Sequence, residues 1–251
     1  MAEKKGESEK EKLIQFIETK NTPLKGYTLI EGFPDIGLAG TIGSRYLVEK
    51  LKFEQIGYVH SRVLLPIIRI NDGMPVHPIR IYASKKHKMA IVIAEQIIEN
   101  ILAAPMADEL VLWIKKKGIS RVISTSGVRI LDGKSVYAFA SNESSKKIIK
   151  KNNIDIINEG ITSGVTALLM LKLKDNNIEA FCLLGNAKNN ADYNAAAEVV
   201  KTICLITKTT LDVKPLLEEA KKLEEAIVKH LKTIESTTKE AKPDSSTPMY
   251  V

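Results

Sequence analysis

The chain has 251 residues, 44% of them hydrophobic, which is enough for one large folded domain with short appendages. Its formal net charge is +7, but aromatic residues make up only 5% and no basic run is interleaved with them, so we predict no nucleic-acid partner. The amino terminus mixes Lys and Glu, and no uncharged apolar run approaches the ~18 residues of a membrane span. We therefore expect a cytoplasmic protein with no membrane partner.

The chain opens with a charged leader, followed by a strand, a glycine-rich turn and a helix. Residues 1–12 balance Lys against Glu with almost nothing apolar to bury, so we predict that this leader is disordered. Residues 27–30 are predicted as a strand, 32–40 as the turn, and 41–51 as a helix with one apolar face. This order is the opening of an α/β unit.

The rest of the body continues to alternate between strands and helices. Strands are predicted at 56–59, 63–70, 79–84 and 89–95, with turn residues between them that favour antiparallel neighbours. Further strands are predicted at 121–125, 136–140, 154–157 and 178–184, and helices at 104–117, 143–151, 165–173 and 195–207. Asp192 is a candidate cap for the last helix. The alternation predicts an α/β fold, a mostly parallel sheet with helices on both faces, in a core domain over residues 13–214.

After Pro215 the pattern changes to an apolar stripe with steps of three and four residues. We predict an amphipathic helix over residues 215–234. The stripe residues assigned to oligomerisation are Leu216, Ala220, Leu223, Ile227 and Ile234. The partner of this face is either its own domain or the same helix of another copy, and the second choice predicts a homo-oligomer.

The chain ends in a segment that has little to pack. Residues 235–248 are Ser, Thr, Lys, Asp, Glu and Pro with Ala241 as the only apolar residue, so residues 235–251 are predicted to be a flexible tail. Its last residues, Met249, Tyr250 and Val251, combine an apolar anchor, an aromatic ring with a polar tip and an α-carboxylate. Such a terminus can enter an apolar pocket with a lysine at its floor, but a frayed end can also carry these residues.

Two glycine-containing loops suggest nucleotide binding and fail on spacing. Gly37, Gly40 and Gly43 follow G-x-x-G-x-x-G rather than the dinucleotide fingerprint, so a packing role is predicted for them. The loop at residues 127–135 ends in Gly-Lys-Ser but is one residue too long for a P-loop and leads into a predicted strand. We predict no cofactor.

The polar residues that remain do not form a catalytic or metal-binding pattern. The carboxylates near predicted strand ends are Glu31, Asp35, Glu95, Asp132 and Asp192. Such carboxylates can be catalytic, but capping of turns and helices is the favoured role. The histidines His60, His77, His87 and His230 are dispersed, and Cys182 and Cys204 lie in apolar runs typical of a core. We therefore predict no metal site and no enzyme.

Four stretches occur in a fixed order along the chain: 31–40 with 46–51 behind it, then 78–82, 160–169 and 211–220. Together they resemble the proteasome assembly chaperone family in its archaeal branch, over roughly residues 24–227. Within that branch, the chain is most similar to the archaeal ATP-independent proteasome activator. The match to its C-terminal hydrophobic-Tyr-any motif is Met249-Tyr250-Val251.

The resemblance implies a fold, a partner and a role. The fold is an α/β sandwich like that of nucleoside phosphorylases, without an established catalytic centre, in a homo-oligomer such as a tetramer. The partner is the α-ring of the 20S proteasome, with unfolded protein substrates as a further candidate. The role is activation by docking of the terminal tripeptide. An assembly chaperone for α-subunits and an uncharacterised enzyme on the phosphorylase-like fold are the alternatives.

Overall fold

The computed structural model describes residues 13–64 and 68–219. The predicted leader, most of the predicted C-terminal helix and the predicted tail lie outside these ranges, although residues 214–219 are helical. The strands are β1 (Gln15–Glu18), β2 (Thr28–Gly32), β3 (Glu54–His60), β4 (Arg69–Asn71), β5 (Met74–Val76), β6 (Ile79–Ser84), β7 (Met89–Ala94), β8 (Arg121–Val128), β9 (Val136–Ala140), β10 (Asp155–Ile156) and β11 (Glu179–Asn186). The helices are α1 (Ala39–Lys50), α2 (Asn100–Lys117), α3 (Glu143–Lys151), α4 (Gly164–Asp175) and α5 (Tyr193–Thr207).

The middle of the sheet consists of four parallel strands, in the order β7-β2-β8-β11. They start in register, because Thr28 pairs with both Met89 and Arg121, and Arg121 pairs with Glu179. All six residues of β7 are buried. A strand that is covered on both faces needs apolar side chains in both directions, which is why β7 and β11 read as continuous apolar runs.

Antiparallel pairs extend this centre on both sides. On one side β7 pairs with β6, β6 with β3, and β3 with β1; on the other β11 pairs with β9, to which β10 is parallel. Among the strands predicted to be antiparallel neighbours, those at residues 56–59, 79–84 and 89–95 correspond to β3, β6 and β7. A separate hairpin, β4 with β5, turns at Asp72 and Gly73, both of which have positive φ.

Helices cover the sheet on both faces. Helices α2 and α4 pack against each other and share one buried core, to which Trp113 and Leu169 contribute. Helices α1 and α5 pack against each other over a second core, which also contains Ile149 of α3 and Phe181 of β11. The predicted fold class is confirmed, with the parallel pairing concentrated in the four central strands.

Two local predictions differ from the structure. The predicted strand at residues 63–70 is wrong at Val63, where the backbone N–H binds the Ser61 hydroxyl at 3.2 Å and the chain bends. Only β4 remains of it within the described residues. The sequence reading also missed β1, a four-residue edge strand that pairs with β3.

Candidate functional site

A buried carboxyl group lies at the carboxyl end of β2. Glu31 is fully buried and accepts a hydrogen bond from the backbone N–H of Phe33 at 3.2 Å. The Thr166 hydroxyl of α4 lies 3.1 and 3.2 Å from its two carboxyl oxygens. The Ser124 hydroxyl of β8 is also buried nearby, although it forms no hydrogen bond of normal geometry. Glu31 therefore joins β2 to α4 inside the protein.

The surroundings of Glu31 change its acidity. Burial, which penalises the charged form, raises the pKa of Glu31 from 4.5 to about 7. The Ser124 and Thr166 hydroxyls and the Phe33 N–H oppose this shift, whereas the negative charge of Asp35 adds to it. Glu31 is consequently close to half protonated at neutral pH, the condition in which a carboxyl group can both give and take a proton.

A cleft of about 150 Å³ lies next to this group, at the edge where the parallel strands end. Its walls come from three segments, namely the turn after β2, the segment after β7 and the start of α4. The lining residues are Phe33, Pro34, Asp35, Ile97, Ile98, Asn100, Ser163, Gly164, Val165 and Thr166. Thr166 both lines the cleft and contacts Glu31, so it connects the buried carboxyl group to the open space.

The glycine-rich turn after β2 shapes one side of this cleft. Gly37 has φ of +69°, and a Cβ there would overlap Ala187. A Cβ at Gly40 would overlap the side chain of Thr125. The Ser126 hydroxyl donates a hydrogen bond to the Asp35 carboxylate and holds the turn against β8. The predicted packing role of these glycines is confirmed, because the turn lies directly on the neighbouring strand.

The capping role predicted for the carboxylates is confirmed at one position. Asp192 caps α5, accepting the Ala195 N–H at 2.8 Å. Glu31 also accepts a backbone N–H of the turn that follows it, but it is buried and bonds Thr166 as well, so its role is wider than capping. Capping is wrong for Asp35, whose side chain makes no cap bond. Asp132 lies in the loop between β8 and β9 with φ of +52°.

Glu95 is the centre of an ion-pair cluster rather than a cap. Its carboxylate pairs with Arg69 of β4 and Arg80 of β6, and Arg45 of α1 lies 3.9 Å away. The cluster ties the β4–β5 hairpin to the end of β7. In the described ranges, no group of three or more His, Cys, Asp or Glu side chains is arranged to hold a metal ion.

The site residues predicted from the sequence lie almost entirely outside the described ranges. Met249, Tyr250, Val251, Ala220, Leu223, Ile227 and Ile234 are all beyond residue 219. Leu216 is described, is 2% exposed and packs into the core of its own domain with Val213 and Phe53. The first residue of the apolar stripe therefore packs in its own domain rather than against another copy. Contact with a second copy stays a prediction for the stripe residues that follow.

The sequence reading gave no special role to the cleft, although two of the resemblance-bearing stretches meet there. Residues 31–40 supply Phe33, Pro34 and Asp35, and residues 160–169 supply the start of α4. The only signal in the sequence was a glutamate near the end of an otherwise apolar strand. Within the described residues, no helix is long and apolar enough to cross a bilayer.

The chain belongs to the PAC2 family, whose model matches residues 29–231. This confirms the resemblance inferred from the ordered stretches. An uncharacterized protein of Methanocaldococcus jannaschii is 26% identical over 243 residues, which cover 95% of this chain and 98% of the relative.

Two solved structures from Pyrococcus furiosus have the same fold. PbaA, an archaeal homolog of proteasome-assembly chaperone, has a TM-score of 0.83 at 27% identity, covering 91% of this chain and 96% of PbaA. PbaB, an archaeal proteasome activator, has a TM-score of 0.76 at 20% identity, covering 87% of this chain and 98% of PbaB. Of these two, PbaA is the more similar by both measures.

Proposed function

We propose that the protein is an ATP-independent activator or adaptor of the 20S proteasome core particle. In this proposal Met249, Tyr250 and Val251 dock into pockets between subunits of the α-ring, with Val251 supplying the terminal carboxylate. The observation that carries the proposal is this tripeptide, Met249-Tyr250-Val251, in a chain of the PAC2 family. The fold shared with an archaeal proteasome activator supports it.

Each residue of the tripeptide has a distinct task in this mechanism. Met249 fills an apolar groove, and Tyr250 stacks and hydrogen-bonds within the pocket. The Val251 carboxylate pairs with a pocket lysine, and the combined contacts open the gate of the core particle. A tether over residues 235–247 could span on the order of 40 Å at ~3.3 Å per residue, which lets the tail reach a pocket away from the body.

A homo-oligomer would strengthen this docking without new contacts. Once one tail is bound, each later tail binds intramolecularly, and the gain in affinity reaches ~10²–10⁴ in favourable geometry. The stripe beyond Leu216 is the proposed oligomerisation element. No step in this function is catalytic, so we assign no enzymatic role to Glu31.

The second candidate function is that of an assembly chaperone for proteasome α-subunits. It is favoured by the comparison with PbaA, which exceeds PbaB in both identity and TM-score. An assembly role would use the folded body to hold α-subunits, and would depend less on the terminal tripeptide.

Peptide hydrolysis by the core particle without ATP tests the first candidate. The proteins compared are the full chain, a chain that lacks residues 249–251, a Tyr250→Ala variant and a Thr247→Ala control. We expect stimulation by the full chain and the control, and none by the other two. Equal stimulation by the truncated chain would refute tail docking.

The same proteins distinguish the alternatives in two further assays. Faster assembly of α-subunits into rings by the truncated chain, with no stimulation of hydrolysis by the full chain, would support the chaperone. Phosphorolysis of nucleosides by the truncated chain would instead support an enzyme.

A further inference from the structure

The edge at which the four central strands begin carries a group of exposed lysines, which we call the basic edge. Its members are Lys25, Lys50, Lys52, Lys85, Lys86 and Lys88. Three belong to the turn between β6 and β7, two to the corner between α1 and β3, and one to the loop before β2.

Contacts in the structure bring these three segments together. The carbonyl oxygen of Lys88 accepts the Thr28 N–H at 3.1 Å, which places the β6–β7 turn beside the start of β2. The rings of Phe53 and His87 stack with centroids 6.4 Å apart, which places the α1–β3 corner against the same turn. The lysines therefore lie on one continuous part of the surface.

The lysines of this edge are not held in ion pairs. Three nearby carboxylates pair with other cations: Glu54 with Lys20, Glu18 with Lys117 and Glu179 with Arg121. Two more, Asp212 and Glu219, act on Tyr46 next to Lys50 and offset part of the charge at that end of the edge. In the part of the chain that the structure describes, none of the six basic-edge lysines forms an ion pair with a carboxylate. Burial, and then the charge of Lys86, lower the pKa of His87, as expected next to uncompensated positive charge.

Residue 212, close to the end of the described chain, lies at this same edge. The Tyr46 hydroxyl of α1 donates to the carbonyl oxygen of Asp212 at 2.7 Å, and the ammonium of Lys50 lies 5.6 Å from the centre of the Tyr46 ring. Burial, then the charges of Asp212 and Glu219, raise the pKa of Tyr46. The last described part of the chain therefore passes next to the basic edge.

We propose that the basic edge is a docking surface for an acidic protein surface that surrounds the pockets entered by the C-terminal tail. This deepens the proposed function and rests on it. Because the described chain ends near this edge, docking of the tail would bring the basic edge towards the partner. Positive charge on the edge would then speed the encounter with a negative surface.

The local chemistry favours a protein partner over a nucleic acid. Single-stranded nucleic acids bind where aromatic rings offer stacking platforms beside the positive charge. The Tyr and Phe rings described at this edge, Tyr27, Tyr46 and Phe53, are only 8%, 5% and 8% exposed, and the His87 ring is stacked on Phe53. The surface therefore offers charge without stacking, which suits carboxylates on a folded protein.

The test compares two triple variants of the full chain with equal changes in net charge. One is Lys25→Gln, Lys85→Gln and Lys86→Gln at the basic edge. The control is Lys147→Gln, Lys150→Gln and Lys151→Gln on α3, where all three lysines are exposed. Helix α3 starts near the beginning of β11 and runs away from the basic edge, because its capping residue Asn142 contacts Ile178.

Association with the 20S core particle is measured by surface plasmon resonance between about 50 and 500 mM NaCl. We expect the basic-edge variant to associate about 10-fold more slowly at low salt and to depend less on salt, with the control like wild type. Equal rates and salt slopes for both variants would overturn the inference and leave tail docking intact.

Two other outcomes also decide the matter. Absence of core-particle binding by wild type, or binding unchanged by removal of residues 249–251, would refute the proposed function and the inference with it. Submicromolar binding of a single-stranded or duplex oligonucleotide at about 150 mM NaCl, abolished only in the basic-edge variant, would assign the surface to nucleic acid and overturn the protein assignment.

Discussion

The protonation of Glu31 gives a direct physical test of the structure. Burial raises its pKa to about 7 from 4.5, so between these values the folded protein holds a proton that the unfolded chain has released. Stability must therefore fall as pH rises through this window. Each pKa unit corresponds to about 1.4 kcal/mol, so the free energy of unfolding should lose about 3 kcal/mol across it.

The Glu31→Gln variant removes this titration and keeps the shape of the protonated side chain. Urea unfolding of wild type and variant, followed by fluorescence of the single Trp113, gives the free energy of unfolding at pH 5 and pH 8. Other titrating groups cancel in the difference between the two proteins. We expect wild type to lose about 2–3 kcal/mol relative to the variant between these pH values.

Two results would refute this reasoning. A difference between the proteins that is the same at both pH values would mean that the carboxyl group is not protonated by burial. A wild type that gains stability relative to the variant as pH rises would mean that its hydrogen bonds outweigh burial and depress the pKa.

Three further predictions concern packing, capping and assembly. Gly127→Ala places a Cβ on the backbone carbonyl oxygen of Ile36 and should lower the free energy of unfolding in urea by about 2–3 kcal/mol. Gly160→Ala, whose added Cβ meets its nearest neighbour at 3.4 Å, should lower it by under ~0.5 kcal/mol. Equal losses for the two variants would contradict the packing. Asp192→Ala removes the acceptor of three backbone N–H groups and should cost about 1–2 kcal/mol, while Ser163→Ala, which loses no cap bond, should cost little. Ile227→Glu should lower the mass measured by light scattering to that of a monomer, and a monomeric wild type would show that the predicted homo-oligomer is wrong.

The fold class could be predicted because its main signals are local. The apolar run of β7 indicates a strand covered on both faces, and Asp192 before an apolar helical pattern indicates a cap. The edge strand β1 could not be found this way. It has four half-buried residues, and it exists because β3, far along the chain, offers it hydrogen bonds.

The site was less predictable because its contacts join distant parts of the sequence. Glu31 meets Thr166 across 135 positions, and only that contact shows that the end of β2 is buried under α4. Glu95 forms ion pairs with arginines of α1, β4 and β6, and the spacing of these arginines in the sequence does not indicate that they meet. The terminal tripeptide differs from these contacts. It is recognised from three adjacent residues in the sequence, and it lies outside the described residues.

The cleft and the basic edge lie at opposite ends of the central strands. β8 spans 8 residues, or about 26 Å at ~3.3 Å per residue. A body held against a partner by its basic edge would thus turn the cleft towards open solvent. Substitutions at the cleft and at the basic edge would then act on separate parts of the molecule.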